Sequence, residues 1–379
     1  MTDSSDCRRG RSRRRFLALA GGSTLALAGC LEGSDGGATD GSGSGGGTGD
    51  SDGTSAGGGT GDGGEDLPDG IYVQPFRETM SMQGTQESGP YGVAFMYAAP
   101  HRFWQVSGSD TTETPRDGDV HAMAVPWHPD TNRVVPETGL TLEITQDGEL
   151  VSQEVIYPML SQRMGYHYGG NFGLDGDGEY VATVTVGAVP DGVRLTGDYE
   201  GLFRDAVTVE IPLAFDDEER AKVESEELDA YGEPGAVEPM QMDAHPTATG
   251  PSEGELPGEF LADTTSDDAR FLTAVLREPP ERFAADTYLA TFAQTRYNGL
   301  VLPGMSVEAT VTRDGSAVFE GGLARTFDAE FGYHYGAGLE DGLESGDEVE
   351  LRVPVPPQVA RHEGYERAFL EMEPMTFTG

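Results

Sequence analysis

Residues 157–171 read YPMLSQRMGYHYGGN, and the core of this stretch, GYHYG, occurs a second time at Gly332–Gly336. Placing His167 on His334 gives an offset that also superimposes the Asp-Gly pair at 147–148 on the pair at 314–315, without a gap. A long internal repeat ordinarily marks a repeated structural unit. The sequence therefore predicts two homologous domains, residues 68–215 and residues 263–379.

Both predicted domains contain short runs of alternating apolar and polar residues, separated by turn signals. Leu140–Thr145 and Leu150–Tyr157, for example, flank an Asp-Gly pair that is typical of a hairpin turn. Ala368–Met372 is predicted as a strand of the second copy on the same grounds. Several short strands at this spacing favour an all-β fold with two tandem immunoglobulin-like antiparallel β-sandwiches.

Residues 216–262 are predicted to join the two sandwiches. The segment Asp216–Ala230 reads DDEERAKVESEELDA and is interpreted as one acidic helix, with Asp216 or Asp217 as its N-cap. The residues from Tyr231 to Glu259 are rich in Pro, Gly and Glu, which is typical of a linker between domains.

The N-terminal residues are predicted to export and anchor the chain. Residues 1–30 combine a twin-arginine pattern at Ser12–Leu17, a short apolar run, and a lipobox-like end at Cys30. Cleavage there would leave Cys30 to carry lipid on the outer face of the cell membrane. Residues 31–67 consist almost entirely of Gly, Ser, Asp and Thr, a composition that cannot bury enough apolar surface to fold. We interpret them as a disordered tether.

The strongly acidic charge of the chain is more informative about the salt concentration of its solvent than about its binding partner. There are 66 acidic and 24 basic residues, a net charge of −42, and Lys222 is the single lysine. High salt shortens the Debye length to about 3 Å at 1 M and so screens such self-repulsion. The composition is typical of proteins from hypersaline environments, and it disfavours nucleic-acid binding, which needs a basic patch.

Histidines and methionines form a candidate metal site in the first copy. His121 and Met123 are two residues apart on a predicted strand, so their side chains point to one face. Met159 and His167 can meet only if residues 161–165 form a turn. Thioether sulfur selects copper over hard cations, whereas imidazole suits copper, zinc and iron alike. This set therefore predicts copper before zinc, and it disfavours magnesium and calcium.

The repeat provides an internal control for this assignment. His167 keeps its histidine in the second copy, as His334, and Asp-Gly and GYHYG are also retained. The other candidates are all replaced at the same offset: His121 by Tyr288, Met123 by Ala290, Met159 by Thr326 and Met164 by Phe331. The pattern indicates one working site and one scaffold copy, and Met164, which stands opposite a phenylalanine, is interpreted as a core residue before a ligand.

Further soft side chains occur outside this set. Met80 and Met82 lie near the start of the first domain, and Met240, Met242 and His245 lie in the linker. Either group could bind copper transiently, although we interpret both as ordinary mobile segments. His101 is interpreted as a loop histidine.

The residues D-V-H-x-M at 119–123, and P-M followed by H-Y-G-x-N at 158–171, resemble the periplasmic ferrous-iron-transport protein family. The resemblance implies a copper-binding, immunoglobulin-like protein that assists an iron or copper permease. By position it makes His121, Met159 and His167 ligands, and puts Met123 where the family has glutamate. The family's last histidine has no counterpart near Thr196 in the first copy, but the second copy has His362 at the matching position.

The resemblance also implies pairing, because family members commonly form dimers. The resemblance thus implies that the two copies form a pseudo-dimer within one chain, with a homodimer as the alternative. We expect a membrane-anchored extracytoplasmic protein that binds copper or iron. The alternatives are an adhesion or envelope module without a metal site, and a copper-dependent redox protein. The sequence contains none of the common hydrolase, nucleotide-binding or redox-thiol motifs outside the tether, so no enzyme is predicted.

Overall fold

The computed structural model describes residues 68–379, all of which belong to one compact unit. The predicted signal, the lipidation site Cys30 and the tether lie outside the described residues. None of the helices within residues 68–379 has the length and apolar character needed to cross a membrane. The boundary between two separate domains stays a prediction.

Strands make up most of the structure. Those before residue 230 are β1 (Phe76–Glu78), β2 (Ser81–Ser88), β3 (Tyr91–Ala98), β4 (Phe103–Ser107), β5 (Asp110–Thr114), β6 (Val120–His128), β7 (Arg133–Val134), β8 (Leu140–Gln146), β9 (Glu149–Val155), β10 (Tyr157–Ser161), β11 (Gly165–Phe172), β12 (Gly178–Val186), β13 (Arg194–Thr196), β14 (Val207–Phe215) and β15 (Ser225–Glu227). The later ones are β16 (Glu259–Ser266), β17 (Ala269–Leu276), β18 (Tyr288–Thr295), β19 (Ser306–Arg313), β20 (Ser316–Asp328), β21 (Gly332–Gly338), β22 (Glu348–Val355), β23 (Ala360–Arg361) and β24 (Met375–Thr378). The helical elements are α1 (Asp217–Arg220) and three short 3-10 helices at Gly197–Tyr199, Glu253–Glu255 and Glu281–Phe283.

These strands form sandwich-like sheets, as the alternation of the sequence predicts. One sheet has the order β2-β3-β6-β11-β10-β23-β4-β5, and a four-stranded sheet, β14-β12-β8-β9, accompanies it. The other large sheet has the order β16-β17-β18-β21-β20-β19-β22-β24, and β24 at its far end lies beside β16, so this sheet is nearly closed. A small sheet pairs β1 with β15.

The burial of each strand follows its sequence pattern. Strands β8 and β12 alternate buried and exposed residues, because one face meets the core and the other meets solvent. Strands β3 and β6 are instead buried along their whole length, and His121 and His128 are the polar side chains of β6. They therefore occupy the interior, and β6 holds His121 there, where water does not reach it.

Short strands cross between the two repeats. Strand β23, which follows the second GYHYG copy, pairs in parallel with β10, with Ala360 opposite Met159. Strand β13, from the first repeat, pairs in parallel with β20 in the same way, with Arg194 opposite Thr326. Each repeat thus completes a sheet that belongs to the other.

The two predicted hairpin turns are confirmed. Asp147 and Gly148 connect β8 to β9, and Asp314 and Gly315 connect β19 to β20. All four residues have positive φ angles between 50° and 82°. A two-residue hairpin of type I′ requires positive φ at both positions, which aspartate tolerates and glycine adopts without strain.

The single acidic helix predicted for residues 216–230 is wrong. Asp216 does cap a helix, since its carboxylate accepts a hydrogen bond from the Glu219 amide at 2.8 Å, but α1 ends at Arg220. The segment then becomes β15 and pairs with β1. A helix this acidic has no apolar stripe to bury, and its like charges repel each other, so pairing with a strand prevails over helix propensity.

The strand predicted at Ala368–Met372 is also wrong, because these residues form turns and bends. Phe369 has φ of 61°, which no strand residue adopts. Asp267 holds this segment instead, since its carboxylate accepts hydrogen bonds from the amides of Leu370 and Glu371. Ala368 and Phe369 are fully buried, so their apolar character reflects core packing in a loop.

Candidate metal centre

The hairpin β10–β11 places Met159 directly opposite His167. The turn between the two strands covers residues 162–164, so the turn that the sequence requires is present. The Ser161 hydroxyl accepts a hydrogen bond from the Met164 amide at 3.0 Å and so stabilises it. Two residues eight positions apart along the chain thereby become cross-strand neighbours.

Strand β6 brings His121 to the same place from the other side. It pairs with β11 so that His121 lies opposite Asn171. The Nδ1 atom of His121 is 2.8 Å from Oδ1 of Asn171, while the Asn171 amide nitrogen donates to the carbonyls of His101 and Pro115. Because the amide nitrogen is thus assigned, Oδ1 must accept from His121, whose proton is then on Nδ1. The Nε2 lone pair of His121 is left free.

His167 is oriented by the backbone. Its Nδ1 atom lies 3.0 Å from the carbonyl oxygen of Gly165, an acceptor only, so Nδ1 carries the proton here too. Its Nε2 atom is left with a free lone pair. Metal-binding histidines are commonly fixed by such a bond from the second ring nitrogen, which sets the tautomer and the ring orientation.

The third imidazole comes from the other repeat. Strand β23 lies between β10 and β4, and the amide of His362, the next residue, donates to the Leu160 carbonyl at 3.1 Å. One ring nitrogen from each of His121, His167 and His362 lies within 4.8 Å of the others. All three Nε2 atoms are buried and lack a hydrogen-bond partner among residues 68–379. Buried imidazole nitrogens are usually paired, so three free ones this close together form a set that could hold a metal ion.

Met159 contributes sulfur to the same point. A Cβ atom built on Gly169 would lie 3.0 Å from the Met159 Sδ and 2.8 Å from the His121 Nε2. The thioether and the imidazole therefore face a common space, and this space depends on the absence of a side chain at position 169. Met159 is fully buried, as are the three histidines or nearly so.

Burial keeps the three imidazoles neutral. It lowers the pKa of His167 to about 4, and it holds the pKa values of His121 and His362 well below the usual range, with neighbouring histidines acting in the same direction. A neutral imidazole is the form that binds a metal ion. Three such rings and one thioether fit a soft or borderline metal such as copper.

The remaining predicted site residues lie at different distances from this centre. Met123 lies opposite Gly169, and Met123 and Met164 line a cavity whose floor includes His167 and His362. His334 lies in β21 of the second repeat, outside the histidine cluster. His245 is buried, and its Nδ1 atom contacts the Pro246 carbonyl at 2.9 Å.

Sequence reasoning missed His101, Glu78 and Asn171. The His101 ring lies 4.9 Å from the His121 ring and 5.4 Å from the His362 ring, centre to centre. Its Nε2 atom is 2.9 Å from the Glu78 carboxylate. His101 is outside a strand, as predicted, but it packs against the centre. The HYGxN motif was the available signal for Asn171, whereas nothing in the sequence indicated Glu78.

The equivalent position in the second repeat is filled by protein groups. His334 Nε2 is 3.1 Å from the Tyr288 hydroxyl, so this imidazole is satisfied. Thr196, the counterpart of His362, donates to Asp328 at 2.7 Å, and Arg282 donates to the same fully buried carboxylate at 2.7 Å. An ion pair and a phenol thus occupy the region where the first repeat presents free donors.

Comparison with known proteins gives partial matches. Residues 254–378 match a family model described as a domain of unknown function, DUF7350. No curated protein matches the chain in sequence. Among solved structures, the chain is similar to a copper-bound variant of FetP from uropathogenic Escherichia coli strain F11, with 19% identity, a TM-score of 0.30, and coverage of 37% of this chain and 97% of that one.

A second similar structure is a copper-bound variant of P19 from Campylobacter jejuni, with 18% identity, a TM-score of 0.29, and coverage of 37% and 97% respectively. The copper-reconstituted P19 protein gives 19% identity, a TM-score of 0.28, and coverage of 37% and 96%. The assignment of the centre in this chain rests on its own side chains.

Proposed function

We propose that this chain is an extracytoplasmic protein that binds copper and passes it to a membrane transporter. The observation that carries the proposal is the convergence of three unpaired imidazole nitrogens, from His121, His167 and His362, within 4.8 Å. The Met159 thioether faces the same space.

The donor set favours copper over other metals. Thioether sulfur is a soft ligand that selects Cu(I), and it binds hard cations such as Mg²⁺ and Ca²⁺ poorly. Imidazole also suits iron, so iron is the second candidate for the cargo, but the buried sulfur of Met159 gives copper the advantage. The centre would hold the ion away from solvent between its arrival and its transfer.

The location follows from the N-terminal sequence. Residues 12–17 have the twin-arginine pattern, and Cys30 would carry the lipid that holds the protein on the outer face of the membrane. If residues 31–67 form the tether that their composition predicts, a typical end-to-end reach of roughly 30 Å would keep the folded part near a membrane transporter for iron or copper. The donor and the acceptor of the metal would then meet without free diffusion.

Metal titration tests the metal-binding part of the proposal. The repeat supplies a matched pair of variants, His167→Ala and His334→Ala, because both residues occupy GYHYG and donate from Nδ1 to the equivalent glycine carbonyl. Second-layer partners of metal ligands alone contribute about 10- to 100-fold to affinity, so loss of a ligand should weaken Cu(I) binding by more than about 100-fold. His334→Ala should bind Cu(I) as the parent protein does.

Two results would contradict this proposal. The first is a purified protein that binds no Cu(I) in competition with a chelator, which favours the adhesion or envelope module. The second is equal loss of affinity in both variants, which would indicate a general effect on folding. A Cys30→Ala variant tests the anchor separately, since it should appear in the medium and leave the membrane fraction if lipid holds the protein.

A further inference from the structure

A small cavity of about 60 Å³ lies against the metal centre, and its walls contain three methionines. These are Met80, Met123 and Met164. The floor includes His167 and His362, two of the three imidazoles of the centre. The cavity therefore touches the centre directly.

The cavity also reaches the surface. Thr79 and Arg102 on its rim are exposed, Met80 is half-buried, and Met123 and Met164 are almost fully buried. The three methionines thus differ in burial, since Met80 is partly accessible to solvent and the other two are not. The methionines come from unrelated parts of the chain, namely the segment before β2, strand β6 and the β10–β11 turn.

Charges of both signs line the cavity, because Glu78 and Glu363 accompany Arg102 and Arg163. Glu78 lines the wall with a buried carboxylate whose Oε2 atom has only the His101 ring beside it, at 2.9 Å.

We propose that this cavity is a loading site, where Met80, Met123 and Met164 bind Cu(I) weakly on its way to the histidine centre. The proposal rests on the proposed function, because it needs a centre that binds copper. Thioethers suit this task, since a neutral soft donor binds Cu(I) without holding it as tightly as an imidazole cluster.

Loading kinetics test this proposal. Cu(I) would be transferred from a weak coloured chelator to the whole protein, and to the Met80→Leu, Met164→Leu double variant, in a stopped-flow instrument. The double variant should load about tenfold more slowly, equivalent to about 1.4 kcal/mol in the barrier, with an equilibrium affinity close to the parent value. Met82→Leu is the control, because Met82 lies in β2 and does not line the cavity.

A spectroscopic readout covers the case in which the double variant folds poorly. With methyl-labelled methionine and Ag(I) as a redox-stable probe, a His121→Ala, His167→Ala variant should still show shifts of the Met80 and Met164 methyl signals. The Met82 signal should not move. Equal loading rates in the parent protein and the double variant would overturn the loading site. So would Met80 and Met164 methyl signals that do not shift when Ag(I) is added.

The remaining outcomes are separable from failure of the proposed function. If the double variant loses equilibrium affinity along with rate, the methionines are resident ligands and the loading site is wrong. If the parent protein binds no Cu(I) at all, the centre itself is refuted and the loading site with it.

Discussion

Replacement of Gly169 by alanine should abolish copper binding while leaving the fold intact. The added Cβ would stand 2.8 Å from the His121 Nε2 and 3.0 Å from the Met159 Sδ, whereas an ordinary contact is at least 3.4 Å. The two donors must therefore retreat by about 0.4–0.6 Å, and a metal site tolerates only about 0.2 Å in its ligand distances. The backbone at residue 169 does not need positive φ, so alanine itself is not strained.

The stability cost of Gly169→Ala should be small. Overpacking of a buried site destabilises a protein by about 1–3 kcal/mol. Replacement of a glycine inside a strand by alanine stabilises it by about 0.5–1 kcal/mol. Chemical denaturation of the metal-free protein measures the net change, and Cu(I) competition with a chelator measures affinity. We expect a change of at most about 2.5 kcal/mol in the free energy of unfolding, together with loss of tight Cu(I) binding.

The second repeat provides the control for this prediction. Gly336 is the counterpart of Gly169, and a Cβ there would overlap the hydroxyl and ring of Tyr288, which is fully buried. Gly336→Ala should therefore destabilise the protein more than Gly169→Ala and leave copper affinity unchanged. Parent-like Cu(I) affinity in folded Gly169→Ala would refute the position of the centre.

Three further predictions concern the whole protein. Burial lowers the pKa of His167 to about 4, so between about pH 6.5 and pH 4 the unfolded chain binds more protons than the folded protein. The metal-free protein should therefore lose stability as the pH falls through this range. In denaturant titrations, His167→Gln should reduce the dependence of the unfolding free energy on pH by about 1.4 kcal/mol per pH unit. Arg282→Ala should cost about 3–5 kcal/mol in thermal or chemical unfolding, since it leaves the buried Asp328 carboxylate without its cation, and copper affinity should not change. Because 42 net negative charges repel one another, lowering NaCl from 1 M to 0.1 M should lower the unfolding midpoint; an unchanged midpoint would count against a salt-adapted protein.

Local pattern predicted the β-structure well. The Asp-Gly hairpins and the β10–β11 turn depend on residues close together in sequence, and the structure has them where the alternation of apolar residues places them. The pairing of Met159 with His167 follows from that turn alone. These are short-range features, so a single sequence contains the information for them.

Long-range contacts could not be predicted from the same patterns. His362 reaches the centre only because β23 inserts between β10 and β4, and no periodicity near residue 362 indicates this insertion. The one available signal was that the first repeat has Thr196, and no histidine, at the position that matches His362, which suggested that a ligand was missing from the first repeat. The helix prediction for the acidic segment after Asp216 was wrong for the same reason, because this segment pairs with β1, about 150 residues earlier in the chain.

The reciprocal crossing of β13 and β23 has a consequence for how such a molecule can diverge. If the two repeats were separate identical chains, every substitution would appear in both symmetry-related positions, and neither binding position could be lost alone. Covalent fusion removes that constraint. One polypeptide can then keep unpaired imidazoles beside one GYHYG copy and fill the equivalent position of the other copy with Tyr288, Arg282 and Asp328.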